Sequence, residues 1–205
     1  MGPLLTGIVV GFSIAAPVGP IGVLCIRRSL AQGALMGLLT GLGAATADAG
    51  YGFIAAFGVT AVSMFLLDKQ LWLSLIGGVF LCYLGIITFR SLPADDLSTA
   101  SGGSHLAVYA STFLLTLSNP TTILSFIAIF AGFGLGAFAS YWAASAMVLG
   151  VFFGSTFWWI ILSSSVGFFR SRLSQTGMRW INRISGTMIL SFGVIALAKA
   201  TASWI

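Results

Sequence analysis

From Leu4 to Cys25 the chain has no charged side chain and is long enough to cross a bilayer, yet Pro17-Val18-Gly19-Pro20 lies near the middle of that run. No continuous helix can pass through it. In lipid, a helix-breaking proline is tolerated only where the freed backbone groups are buried in protein or line a cavity. The chain then does this again. Ser118-Asn119-Pro120-Thr121-Thr122 interrupts the apolar run Leu106 to Phe130, with Asn119 thirteen residues past Leu106, as Pro17 is thirteen past Leu4. Two matched interruptions in corresponding halves are the sequence mark of a transport site.

Composition confines the fold to a membrane. With 58% hydrophobic and 6% charged residues in 205, the chain lies outside the range of soluble domains. A span takes roughly 20 residues, so there is room for six spans and short loops. We place them at 4–26, 33–58, 71–90, 106–131, 141–168 and 181–202. The expected fold is thus an all-α integral membrane protein whose first and fourth helices are broken. A net charge of +5 raises the question of nucleic acid, but the basic residues gather in the gaps between apolar runs and are read as topology signals. No nucleic-acid partner is expected.

The first, third and fifth gaps hold Arg27, Arg28, Arg90, Arg170, Arg172, Arg179 and Arg183, whereas the opposite side holds Lys69 and Lys199. Positive loops stay inside, which puts both termini outside. No Lys or Arg precedes the first run and Pro17 directly follows Ala15-Ala16, so that run is expected to remain as a span. Trp72, Trp142, Trp180 and Trp204 fall at span ends, where an amphipathic ring prefers the interface. Trp158 and Trp159 lie deeper. Packing between helices is their default reading, a pocket wall the alternative.

Between Arg90 and His105 runs the most polar stretch, with Pro93, Asp95, Asp96 and Gly102-Gly103. It reads as a cytoplasmic linker, 91–105, joining a first three-helix half, 1–90, to a second, 106–205. Three is odd, so the halves have opposite orientations, as an inverted repeat requires. His105, the sole histidine, reads as a solvated loop residue. Small residues every four positions, Gly33-x3-Gly37-x3-Gly41 with Ala45 and Ala49, and Gly150-x3-Gly154, invite close helix contacts.

If Gly19 and Asn119 are N-caps, Pro20 and Pro120 each take the first position of a new half-helix, where proline lacks only an unneeded donor. Amides of Ile21, Gly22, Thr121 and Thr122 then face the membrane middle. Two such ends, each carrying about half a positive charge, suit an anionic group such as a carboxylate. A pair of kinks serving only packing is the bland alternative. Asp48 adds a negative pole. It is the only ionisable residue well inside a span, where a charge costs about 2.5 to 3.5 kcal/mol, and it normally needs a cavity or partner. It either holds a proton or meets a cation that comes and goes, unless Thr46 or the nearby backbone occupies it. Ser155 takes the corresponding place in the second half, polar but uncharged. A zwitterion could set its ammonium at Asp48 and its carboxylate at the half-helix ends, the geometry of an amino acid.

At these residues the chain resembles the LysE/RhtB family of bacterial amino-acid exporters, over essentially its whole length. The residues that carry the resemblance are Pro17-Val18-Gly19-Pro20, the glycine-rich stretch from Gly33 to Asp48, Asn119-Pro120, and the tail Arg172-Leu173, Arg179-Trp180-Ile181-Asn182-Arg183 and Gly186. Two departures fall at the pocket: Val18 splits the family's Pro-Gly-Pro, and Ala47 stands where glycine often precedes the aspartate. The resemblance implies a bacterial inner-membrane carrier, not an enzyme, that moves small amino-acid-like solutes outward. It also implies proton drive and a homodimer. The site residues expected for substrate are Pro17, Gly19, Pro20, Asp48, Asn119, Pro120, Thr121 and Ser155, with Asp48 also coupling the proton; no cofactor or metal is expected.

Two rival classes follow from the same residues. Relatives in the wider superfamily carry electrons through paired membrane cysteines, but Cys25 and Cys82 lie in the first and third runs rather than in the first span of each half. They read as small core residues. A cation exporter would need more than one Asp with no His, Cys or Glu cluster beside it.

Overall fold

The computed structural model describes residues 2–17, 19–57, 70–90, 104–119, 122, 125–126, 140–169 and 175–202. Seven helices stand among them and no strand: α1 (Pro3–Ala15), α2 (Pro20–Gln32), α3 (Ala34–Ala56), α4 (Gln70–Arg90), α5 (His105–Leu117), α6 (Tyr141–Phe169) and α7 (Gln175–Ala202). The first run is broken as expected. Pro3 and Pro20 each occupy the first turn of a helix, Gly19 caps α2 in an extended conformation, and α1 and α2 meet at 79°. In the second run α5 stops at Leu117 and helical backbone is present again at Thr122, Ser125 and Phe126. Of the linker 91–105, residues 91–103 lie outside the described residues and His105 already begins α5; Lys69, Arg170, Arg172 and Trp204 also lie outside them.

α3 and α6 pack against each other at the centre. α1 lies on α6, α5 lies on α3, α4 and α7 pair with each other, and α2 reaches α3, α6 and α7. Backbones come this close because glycine faces them. A Cβ at Gly150 would fall among Leu4 O, Gly7 Cα and Ile8 N of α1, and one at Gly154 would meet Ile8. The expected stripe on α3 also makes contact: Gly37 faces Ser29 and Ser163, and Gly41 faces the Trp159 side chain. Gly43, off that stripe, makes the approach to α5, at Tyr109 O and Phe113 N.

Two boundaries differ from expectation. α2 runs on to Gln32 and turns into α3 through Gly33 alone, whose φ of 102° disfavours any other residue. Arg27 and Arg28 are therefore helical and partly buried, not loop residues. The physical reason is the surroundings of Arg28. Its guanidinium donates to Thr40 Oγ1 of α3 at 3.0 Å and to Val108 O, Thr112 Oγ1 and Ser111 Oγ of α5 at 3.3, 2.9 and 3.3 Å, so hydroxyls and a carbonyl replace water. α7 likewise begins at Gln175, which places Arg179, Trp180 and Arg183 on its first turns. Trp72, Trp142 and Trp180 are exposed, as interface residues would be.

The Gly150 contact is checked by substitution. Gly150→Val forces α1 and α6 apart, a strain of about 1–3 kcal/mol for overpacking. Thermal unfolding in detergent is expected to show a lower Tm, whereas Gly50→Ala, where a Cβ meets open space, leaves it unchanged or raised. Equal melting of wild type and Gly150→Val contradicts the contact.

Candidate functional site

The two breaks open onto one cavity of about 290 Å3. From the first break, Pro17, Gly19, Pro20, Ile21 and Gly22 line it; from the second, Ser118, Asn119 and Thr122 do. Asp48 of α3 and Trp159 of α6 form another wall, and apolar side chains of α4 and α7, including Leu81, Phe192 and Ile195, close it. Polar backbone and one carboxyl thus meet an apolar surface, as in sites for small organic solutes.

At the first break the local geometry is that of a half-helix start. Gly19 O accepts from Val23 N at 3.0 Å, and Pro20 has no amide to satisfy. The first-turn amides of Ile21 and Gly22 lie beyond the reach of any acceptor within α2, at the positive end of its dipole. The second break is tied more tightly. Asn119 N donates to Thr116 O and Asn119 O accepts from Thr122 N, both at 3.1 Å, while Asn119 Nδ2 donates to Thr122 Oγ1 at 3.0 Å. The Thr122 amide, expected to face the cavity, is therefore spent inside this turn. Pro120 and Thr121 lie outside the described residues.

Asp48 is 3% exposed and accepts from Ser155 Oγ at Oδ2, 2.7 Å away. Among the described residues no ion pair reaches it. Thr46, the bland partner considered above, is engaged elsewhere: it donates to Leu42 O and accepts from Tyr109 Oη, each at 2.8 Å. Ser155 does not line the cavity; it holds Asp48 from behind. Its own second contact is Trp159 Nε1, which donates to Ser155 Oγ at 3.1 Å. Trp159 is thus the pocket wall of the tryptophan pair. Trp158 packs edge-on against Phe12 at 5.5 Å.

Three side-chain ties were not foreseen from the sequence: Trp159 to Ser155, Tyr51 to Leu117, and Arg28 to α3 and α5. Trp159 follows Ser155 by four residues, one helical turn, which is the signal that could have joined them. Tyr51, three residues past Asp48, donates to Leu117 O at 2.6 Å and so ties α3 to the last residue of α5 at the second break. Arg28, set aside as a topology signal, links α2, α3 and α5.

A model of the LysE type translocator matches residues 12–200. The "Putative amino acid efflux protein YcgF" of Bacillus subtilis is 32% identical over 200 residues, which cover 94% of each chain. The "Uncharacterized membrane protein YahN" of Escherichia coli is 28% identical over 176 residues, 84% of this chain and 77% of its own. No solved structure matches the chain.

The Tyr51 bond can be tested directly. Tyr51→Phe removes the hydrogen bond to the Leu117 carbonyl, worth about 0.5–1.5 kcal/mol. Thermal unfolding is expected at lower temperature, and hydrogen exchange is expected to rise in the last turn of α5 but not in α4. Unchanged exchange there removes Tyr51 from support of the break.

The match over most of the length, with a broken span and long apolar helices in the fold, places this multi-pass membrane protein in the LysE type translocator family.

Proposed function

We propose that the protein is an inner-membrane secondary transporter that exports amino acids or similar small zwitterions by alternating access, in exchange for protons. One observation carries this reading: both breaks and Asp48, the only acidic side chain among the described residues, border a single cavity. A zwitterion bound there sets its ammonium at Asp48 and its carboxylate at the amides of Ile21 and Gly22, with an apolar wall for its side chain. The residues assigned to substrate are Pro17, Gly19, Pro20, Asp48 and Asn119, with Pro120 and Thr121 by sequence alone and Ser155 acting through Asp48. The similarity to a protein named for amino acid efflux supports the solute class.

Alternating access rests on two inverted halves, and the contacts support them. Gly150 meets Leu4 O and Ile8 N, four residues apart on α1; Gly43 meets Tyr109 O and Phe113 N, four apart on α5. Exchanging α3 with α6 and α1 with α5 turns one contact into the other. The α4–α7 pair is its own image, with Gly78 on Leu197 matching Gly186 on Phe89, and Gly85 on Leu190 matching Gly193 on Cys82. In this register Asp48, five past Gly43, corresponds to Ser155, five past Gly150. Their hydrogen bond joins the two counterparts behind the cavity wall that Asp48 forms.

A neutral zwitterion gains no drive from the membrane potential, since only net charge couples to it. Uphill export therefore needs an ion. A proton arriving at Asp48 from outside displaces the ammonium, which leaves outward, and loss of that proton inside readies the carboxylate again. The inward position of the arginine-bearing ends, with both termini outside, rests on charge distribution; the homodimer rests on the resemblance alone.

In proteoliposomes, Asp48→Asn is expected to abolish proton-driven exchange of a labelled mixture of the twenty standard amino acids. Unchanged proton-coupled flux removes Asp48 from the mechanism. A thiol-redox reading is tested by Cys25→Ser with Cys82→Ser. Cys25 Sγ is sealed in the core and donates to Gly37 O at 3.4 Å, so transport is expected to survive; its complete loss in a folded variant favours redox chemistry.

A further inference from the structure

We propose that Trp159 is a positioning residue which, through Ser155, confines the exchangeable cation of Asp48 to one oxygen, Oδ1. This rests on the transport reading above and adds to it the atom at which proton and ammonium compete.

Donor capacity carries the inference. An indole N–H can only donate, so the 3.1 Å contact fixes Ser155 Oγ as its acceptor. The hydroxyl has a single hydrogen, and the acceptor within its reach is Asp48 Oδ2 at 2.7 Å. A proton on Oδ2 would leave that hydroxyl hydrogen only the weaker acceptor of a carboxyl O–H oxygen in a buried site, which is costly. Oδ2 is therefore held as an acceptor in either protonation state. Oδ1 accepts no protein hydrogen bond among the described residues and is not among the sealed polar atoms of the interior. Asp48 lines the cavity, and Oδ1 is its oxygen without a protein donor among the described residues.

The indole is itself fixed. Its Cβ and Cγ press on α3 at Gly41, where any Cβ would displace them, and Trp159 is 3% exposed. Of the elements packed around Asp48, α6 presents Ser155 and Trp159, and α3 itself presents Tyr51, whose hydroxyl is committed to Leu117 O. No described cation bonds to Asp48. The exchange is thus one for one at a single atom: as a proton bonds to Oδ1, the ammonium that donated a hydrogen bond to it there leaves with its own protons intact.

Two measurements test this. In proteoliposomes exchanging the labelled amino-acid mixture, Ser155→Ala is expected to lower the initial rate about tenfold, the loss of one charge-assisted hydrogen bond. Trp159→Phe is expected to lower it as well. The double variant is expected to be no worse than Ser155→Ala alone, and Ser155→Thr is expected to restore the rate. Multiplying effects, or no rescue by threonine, overturn the chain of positioning. Infrared difference spectra of acidified wild-type protein supply the second arm and need no solute. The Asp48 carboxyl C=O band, identified by its loss in Asp48→Asn, is expected at the low frequency of a hydrogen-bonded carbonyl and to move up in Ser155→Ala. A band unmoved by Ser155→Ala overturns the assignment to Oδ1. Absence of any wild-type exchange with a shifting band defeats the transport reading and leaves the positioning intact.

Discussion

Backbone amides and carbonyls have no water to turn to inside a bilayer, so every interruption of a helix there must find its partners within the protein. This constraint shapes the molecule more than any single contact. The first break is accommodated by proline at a first-turn position that has no use for an amide, and the second by Asn119 and Tyr51. What those devices leave over faces a cavity rather than lipid. The site is thus where the fold places groups that cannot be satisfied anywhere else.

Close helix contact makes the cavity possible. α1 on α6 and α5 on α3 approach through glycine, and the same approach brings Asp48 within hydrogen-bond distance of Ser155. The carboxyl is buried without a cation among the described residues and is supported from one side by a hydroxyl and, through it, an indole. Arg28 shows the complementary arrangement, a buried guanidinium held only by neutral oxygens of α3 and α5 among the described residues. Neither charge neutralises the other in a contact. Each depends on polar neighbours from a different segment of the chain.

The breaks were legible in the sequence because proline and glycine restrict local backbone whatever surrounds them, and Asp48 was legible because a lone acid in an apolar run has few places to go. Position alone gave Ser155 the corresponding place in the second half, but not its hydrogen bond to Asp48. Trp159 and Tyr51 were not legible in the same way: an aromatic residue in a membrane helix packs in most settings, and only the partner across the interface shows which polar atom it serves. Arg27 and Arg28 were misplaced for a related reason. Charge near a span end signals a loop unless hydroxyls on other helices take the place of water, and Thr40, Ser111 and Thr112 are far from Arg28 in the chain.

The bond between Asp48 and Ser155 joins two counterparts under the proposed exchange of halves. Two identical residues could not make it. A matched pair of acids would have to share a proton to lie so close, and a matched pair of serines would offer no charge to a passing ammonium. If the halves are related as proposed, strict internal duplication is incompatible with this centre, and the two halves must differ at the one spot where they meet.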